Sequence, residues 1–346
     1  MTALKIFLAV FWVSQSQAAD DESRTAPLFS SNDLVEVTIR GPFTSIMRER
    51  SREDDVPATL TYRDPEAGDI TLEIGVRTRG RFRHQREVCP FAPLRLDFKK
   101  STVKDTLFAT SDKLKLVTHC RTAALYTQAL LNEHLAYRIF NQVTDDSFRV
   151  RLMRVTYVDT DKKNRERTHL AFAIEHRDQL AKRIGYDEND VESTEIRLLD
   201  PAQTNLGSVF QYLIANTDFS PIRAAPGESC CHNNNLFGDQ DGAILAIPYD
   251  FDMSGIVDAP YATPNPRFGL RNVRERLYRG RCVNNELVGT STQAFIDQKQ
   301  IILDLLNNNE HFDKGTRKRT TRFLSEFFAT VEDPKRLRSR LTDKCI

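Results

Sequence analysis

The first third of the chain alternates apolar and polar residues in one short run after another, and no helical period separates them. Leu34-Val35-Glu36-Val37-Thr38-Ile39 is the first run; Ala58 to Tyr62, Ile70 to Arg79, Leu94 to Phe98 and Lys113 to Val117 follow. Successive side chains of a strand point to opposite faces, so a period of two marks half-buried strands. Gly80 breaks the third run. Strand after strand without helices implies a mostly antiparallel sheet.

The period changes at Thr122. Leu125, Leu131, Leu135 and Ile139 recur at helical spacing, which predicts a long helix to about Val143. Strands return at Val150 to Val158 and Leu170 to Ile174, around a charged turn, and place Glu175 at a strand end. A short helix from Arg177 to Ile184 stops at Gly185. Beyond Pro201, Leu206, Val209, Phe210, Leu213 and Ile214 predict a buried helix capped by Thr204 or Asn205. Asn234 to Phe237 and Ala243 to Pro248 read as two short strands joined by a hairpin turn over Gly238 to Gly242, which lacks the calcium-loop pattern. Helices are expected at Thr292 to Leu306 and Arg319 to Thr330, whereas Phe43 to Asp55 is charged and shows no apolar face. The class is α+β.

Lys5, the apolar run Ile6 to Val13 and the small-residue exit Ser16-Gln17-Ala18 read as a signal peptide over 1–18. This places the protein outside the cytoplasm, periplasmic or extracellular. No later stretch is apolar enough to cross a bilayer, and the remainder suffices for one large domain or two intimate lobes. The formal net charge of +1 gives no case for nucleic acid. The richest basic stretch, Arg77, Arg79, Arg81, Arg83, His84 and Arg86, suits a small anion or a solvated loop. Six cysteines, an even number, permit disulfides after export, with the adjacent Cys230 and Cys231 each expected to pair elsewhere.

Polar residues cluster after apolar runs in the second half. Asp250 and Asp252 follow the strand that ends at Ile247, and residues two apart in an extended segment share a side. Both carboxylates can then serve Mg²⁺ or Mn²⁺, which take hard oxygen ligands and share them with phosphates. Asn233 or its neighbours Asn234 and Asn235 would add a neutral oxygen. Asp218, with Asn216 and Thr217, closes a helix at the end where the helix field disfavours a carboxylate, and suits accepting a hydroxyl proton. Lys115 on a strand and Glu133 on the long helix would form an ion pair that fixes a phosphate-binding ammonium, although Lys113 shares the same sheet face. His232 and His119 read as structural or hydrogen-bonding groups, and neither a Walker loop nor a Gly-x-Ser-x-Gly elbow is present.

These residues, in this order, resemble the spore-coat CotH kinase family. The likeness covers roughly Val35 to Asp258 and rests on Val76-Arg77-Thr78-Arg79-Gly80, Leu94-Arg95-Leu96-Asp97-Phe98, Glu133, Ala173-Ile174-Glu175, Asn216-x-Asp218, His232-Asn233 and Pro248-Tyr249-Asp250-Phe251-Asp252. It implies a bilobal atypical protein-kinase-like fold, with a sheet-rich lobe over 30–190 and a helical lobe over 191–346. ATP and Mg²⁺ or Mn²⁺ would lie between them. By the resemblance Asp218 is the catalytic aspartate; Asn233, Asp250 and Asp252 hold metal; Lys115 is the phosphate-binding lysine and Glu133 its helix partner in the nucleotide site; and Glu175 lies near the nucleotide base. The implied activity is transfer of the ATP γ-phosphoryl group to a protein Ser/Thr hydroxyl, making a protein the expected partner. A metal-dependent phosphoester hydrolase and a non-catalytic envelope or secreted binding protein are the alternatives.

Overall fold

The computed structural model describes residues 25–224, 229–238 and 242–346. The expected signal peptide lies outside these, as does the middle of the expected turn over 238–242. Strands β1 (Val35–Gly41), β2 (Val56–Asp64), β3 (Gly68–Thr78), β4 (Leu94–Phe98) and β5 (Lys113–Val117) pair in sequence as an antiparallel meander. Strands β6 (Val150–Asp159) and β7 (Arg165–Ile174) form a hairpin, and β7 pairs antiparallel with β5. The outer side of β6 pairs with β1 in parallel, from Val35↔Met153 to Gly41↔Asp159.

That last pairing closes the sheet. Its order is β1-β2-β3-β4-β5-β7-β6, a seven-stranded barrel with one parallel seam. The α+β class holds, but a closed barrel does not fit the expected bilobal protein-kinase-like fold. The physical cause is β6, which bonds β7 on one side and β1 on the other. Closure leaves no strand edge open to foreign pairing. The alternating residues Ile39, Leu60, Val76, Leu96, Leu114 and Val155 fill the barrel interior and are all fully buried.

Helix α1 (Phe43–Glu49) forms where the sequence showed only charge, and buries Phe43 and Ile46. After the single turn α2 (Lys100–Val103) comes the long α3 (Ala124–Phe140). Helix α4 (Arg177–Ile184) starts on a capping box at His176 and stops at Gly185, whose φ of 75° is left-handed. Helix α5 (Pro201–Leu213) is capped by Asp200, which accepts from Gln203 N, with Pro201 at the first position. The cap is therefore one turn earlier than Thr204 or Asn205, where proline's missing N–H costs nothing. A small sheet of order β10-β9-β8 joins β8 (Glu188–Asn189), β9 (Asn234–Phe237) and β10 (Leu245–Pro248). The single helix expected over 292–306 is two, α6 (Val288–Asp297) and α7 (Lys299–Asn307); α8 (Lys314–Val331) and α9 (Pro334–Arg340) follow.

The helices pack on the barrel wall through a second core. Val117, Leu152 and Phe172 of the barrel share one apolar cluster with Leu131 and Leu135 of α3, Phe210 of α5 and Phe327 of α8. Phe140 stacks on Phe210 at 4.5 Å, and Phe210 meets Phe251 edge-on at 5.2 Å. This contact fixes the loop that follows β10 against the helices, which matters because that loop carries Asp250 and Asp252.

Cys89–Cys120 and Cys282–Cys345 are bonded, and Cys230 bonds its neighbour Cys231. The expectation that the adjacent pair would seek other partners fails because the two long-range bridges take the other four sulfurs. Three disulfides fit an oxidising compartment. Among the described residues no helix is long and apolar enough to cross a membrane.

Candidate functional site

Several chain segments meet at a cavity of about 640 Å³. The turn after β3 supplies Arg79, Arg81 and Arg83, and β5 supplies Lys115. Asp218 comes from the loop after α5. His232 and Asn233 precede β9, while Tyr249, Asp250 and Asp252 follow β10. Of the residues singled out from sequence, Lys115, Asp218, Asn233, Asp250 and Asp252 all line this one cavity. Glu133 lies buried at its base, bonded to Arg83, and Glu175 is elsewhere.

Local geometry explains the convergence. Asn216 Oδ1 accepts from Asp218 N at 2.9 Å, turning the chain after Ala215, whose φ is 52°. His232 Nε2 lies 2.8 Å from Asp218 Oδ1. Asn233 Nδ2 donates to Asp218 O at 2.6 Å and to Asp218 Oδ2 at 3.1 Å. The three asparagines are thereby distinguished: Asn233 is bonded to Asp218, Asn234 donates to His232 O, and Asn235 sits within β9 opposite Ile247. Tyr249 N donates to Asn233 O at 3.1 Å, tying the two loops together. The hydrogen bond to Asp218 raises the pKa of His232.

Asp250 has a φ of 60°, so its segment is not the extended stretch expected from sequence. Its N–H donates to Tyr137 Oη at 2.8 Å, which anchors this turn to α3. The two carboxylates nevertheless reach one group, the Arg83 guanidinium. Arg83 Nε is 3.0 Å from Asp252 Oδ2, and Arg83 Nη2 is 3.4 Å from Asp250 Oδ1. The far edge of the guanidinium takes Glu133 in a bidentate pair at 3.0 and 3.2 Å. Tyr261 Oη donates to Asp252 at 3.2 Å. Burial alone would lower the pKa of Arg83, but Glu133, Tyr261, Asp252 and Asp250 outweigh it and raise it. Glu133 and Asp252 are both pushed up, burial first, with Arg83 opposing and the neighbouring carboxylates adding.

The expected Lys115–Glu133 pair is therefore corrected: Glu133 pairs with Arg83. Lys115 instead faces Tyr249, its Nζ 5.4 Å from the ring centroid. Burial and then Arg79 lower its pKa to about 8. Glu175, expected beside a nucleotide base, is fully buried and bound by Arg183, whose Nε donates to Oε1 and Nη2 to Oε2, each at 3.0 Å, with Arg149 N also donating to Oε2. It is a structural ion pair locking α4 to the end of β7. Glu175→Gln should cost about 1.5–3 kcal/mol of stability by losing charge-assisted bonds, measured by urea unfolding, and leave ligand affinity intact.

The sequence did not reveal Arg83 as the organising cation, nor Arg177. The signal was present as the arginine-rich stretch after β3, but nothing local says which arginine turns inward. Arg177 lines the cavity while also engaging Glu188 and Asp190.

The lining thus combines carboxylates, Asp218, Asp250 and Asp252, with cations, Arg79, Arg81, Arg83, Lys115 and Arg177. Among the described residues no group of three or more His, Cys, Asp or Glu side chains is arranged to hold a metal alone. Magnesium fits such a site only in the manner usual for it, through one or two carboxylates together with waters and substrate phosphates. Three carboxylates meet a single guanidinium at Arg83, an excess of negative charge that a divalent cation would relieve. No family model matches the chain, and no curated protein matches it.

Proposed function

We propose that the cavity binds a nucleoside triphosphate with a divalent cation and transfers its terminal phosphoryl group to a hydroxyl. The observation that carries this is that one cavity is lined both by carboxylates, Asp218, Asp250 and Asp252, and by the cations Arg79, Arg81, Lys115 and Arg177. Phosphoryl transfer asks the protein chiefly to position groups and balance charge. Asp250 and Asp252, with the Asn233 carbonyl, would hold Mg²⁺ or Mn²⁺. Such an ion supplies charge neutralisation on the phosphate oxygens. Lys115, Arg79 and Arg177, which line the same cavity, would balance the charge of the phosphates. Asp218, held by His232 and Asn233, accepts the acceptor's proton as the new P–O bond forms and the bridge to the β-phosphate breaks. The likeness of the Asn216-x-Asp218, His232-Asn233 and Asp250-Phe251-Asp252 clusters to the CotH family favours ATP as donor and a protein Ser/Thr hydroxyl as acceptor. We infer further that the protein is exported, periplasmic or extracellular, from the apolar start of the chain and the three disulfides.

The test is a thermal-shift titration with ATP and Mg²⁺ or Mn²⁺, followed by γ-phosphate labelling of added protein acceptors. The native protein should be stabilised by nucleotide and metal together, and Asp250→Ala should abolish the shift. A well-folded native protein that shows no shift defeats the reading. Free phosphate without labelled acceptor would move the assignment to phosphoester hydrolysis.

A second reading has one specific observation behind it. The Arg83 guanidinium already bonds both Asp250 and Asp252, as a resident cation would. A non-catalytic binding protein would keep this arrangement permanently, and metal would then leave its melting temperature unchanged.

Lys115 gives the phosphate reading a pH signature. Its folded pKa lies below the ordinary 10.5, at about 8. The charged form that attracts phosphate is lost as pH rises through that value, so ATP affinity should fall between about pH 7 and 9. Folding stability should respond oppositely, because the native state binds fewer protons from about 8 to 10.5 and so gains stability across that window. Calorimetric titration of Lys115→Met, which should bind weakly and without this pH dependence, checks the assignment.

A further inference from the structure

The chain between β10 and α6 turns strongly basic after the acidic turn at Asp250 and Asp252. From Asn265 to Arg281 it carries Arg267, Arg271, Arg274, Arg276, Arg279 and Arg281 against the single acid Glu275. Three of the six have carboxylate partners. Arg271 pairs with Glu275 at 3.4 Å, Arg274 with Asp258 at 3.2 Å and Arg276 with Glu326 at 3.8 Å. Among the described residues no ion pair takes Arg267, Arg279 or Arg281, of which Arg267 is exposed and the other two are half-buried.

This basic segment is built against the loop that carries Asp218. Arg279 Nη1 donates to Thr217 O and to Phe219 O, each at 2.8 Å, and so bonds the residues on either side of Asp218. Its guanidinium lies 4.7 Å from the ring centroids of both Phe219 and Phe268, which brings Phe268 and its neighbour Arg267 to the same loop. A Cβ added at Gly255 would strike Val273 O and lie 2.8 Å from Ala215 Cβ, so the basic segment and the turn into Asp218 close on this glycine together. Burial and then Arg281 lower the pKa of Arg279, whereas Asp218 raises it, which puts both guanidiniums in the electrostatic neighbourhood of that carboxylate. The Asp218 side chain itself is 38% exposed, open to an incoming hydroxyl.

We propose that the acceptor hydroxyl belongs to an acidic peptide segment, whose carboxylates flanking the hydroxyl are held by Arg267 and Arg281 beside Asp218. This names the substrate of the phosphoryl-transfer reading and rests on it. Asp218, Asp250 and Asp252 would by themselves repel an acidic chain, and guanidiniums without internal partners next to them offset that repulsion. The planar fork of arginine matches a carboxylate in geometry as well as charge, and arginine clusters are a recurrent means of reading acidic motifs.

Fluorescence anisotropy with fluorescein-labelled peptides tests it, each peptide holding one serine flanked on both sides by glutamates, by glutamines or by lysines. The native protein should bind the glutamate peptide at least about 10-fold tighter than the glutamine peptide, with the lysine peptide weakest and the differences shrinking as salt rises. Arg267→Ala with Arg281→Ala should melt with the native protein, because neither side chain bonds another part of the fold, and should cut the preference below about 3-fold. In γ-phosphate labelling the preference should appear in KM. Labelling of all three peptides alike keeps phosphoryl transfer and overturns the acidic acceptor. Arginine-dependent binding of the glutamate peptide, with no peptide labelled, keeps the acidic-peptide site and defeats phosphoryl transfer. Equal binding of the glutamate and glutamine peptides, or a preference unchanged in the double variant, overturns the proposal.

Discussion

Asp218→Asn should lose phosphoryl transfer by about 10²- to 10⁴-fold, the usual contribution of a positioned general base, while still being stabilised by ATP and metal. The substitution keeps the shape of the side chain and leaves an oxygen for one of its two partners, His232 Nε2 or Asn233 Nδ2. It removes the ability to take a proton, together with the negative charge and one of the two acceptor oxygens. The metal-holding pair Asp250 and Asp252 is reached from a different loop and through Arg83, so binding should survive. Activity within about 3-fold of native would sink the assigned role.

The same variant has a readout that does not depend on turnover. Asp218 raises the pKa of His232, first through their hydrogen bond and then by charge. A histidine whose folded pKa is raised adds stability fully present below its ordinary value, near 6.5, and loses it as pH climbs through the folded value. In Asp218→Asn the imidazole should titrate lower than in the native protein, followed by its ring proton shifts in NMR. An unchanged His232 titration would show that the 2.8 Å contact does not exist in solution.

What could be read from sequence follows the range of the interactions. Strands β4 and β5 and helix α4 lie where alternation and the Gly185 stop placed them, because a period of two and a left-handed glycine are local facts. The closure of the barrel was not legible. It depends on β6 finding β1 in parallel, and parallel partners leave no mark on the residues between them. The site divides the same way. Asp218, Asp250 and Asp252 could be brought together because each follows an apolar run that ends against the core, whereas Asn233 follows Cys231-His232 and rested on the resemblance. The partner of Glu133 could not, since Lys115 in the middle of β5 and Arg83 in the turn after β3 are both candidate cations, and only the course of that turn decides that Arg83 enters. Glu175 illustrates the converse error: a carboxylate at a strand end was read as functional when Arg183, eight residues on, neutralises it in the interior. Helix α1 escaped notice because only Phe43 and Ile46 of its seven residues are buried, too few to set a period.

Removing Arg83 should be the most damaging single change for stability at this site. Its guanidinium is the only group that bonds Glu133, Asp250 and Asp252 together among the described residues, and both Glu133 and Asp252 are buried. Breaking a buried pair leaves an uncompensated charge, at about 3–5 kcal/mol, so Arg83→Met should melt well below the native protein at pH 8. The pH dependence identifies the cause. Glu133 already has its pKa raised from 4.5 to about 7, burial outweighing Arg83. Without the guanidinium it must rise further. A carboxyl raised in the folded state costs nothing below its ordinary value, where it is protonated in both states, and its cost grows as pH climbs from that value to the folded one, above which it is constant. The deficit of Arg83→Met should therefore be small near pH 4.5 and widen towards pH 8. Adding Glu133→Gln removes the stranded charge and should recover part of the loss at pH 8 but little at pH 4.5. A deficit independent of pH, or additive with Glu133→Gln, would mean that Arg83 acts through its packing and not through the carboxylates. The same pair of variants bears on the cavity's chemistry. If a divalent cation competes with the guanidinium for Asp250 and Asp252, Mn²⁺ should stabilise Arg83→Met more than the native protein, and Asp250→Ala in that background should cancel the gain.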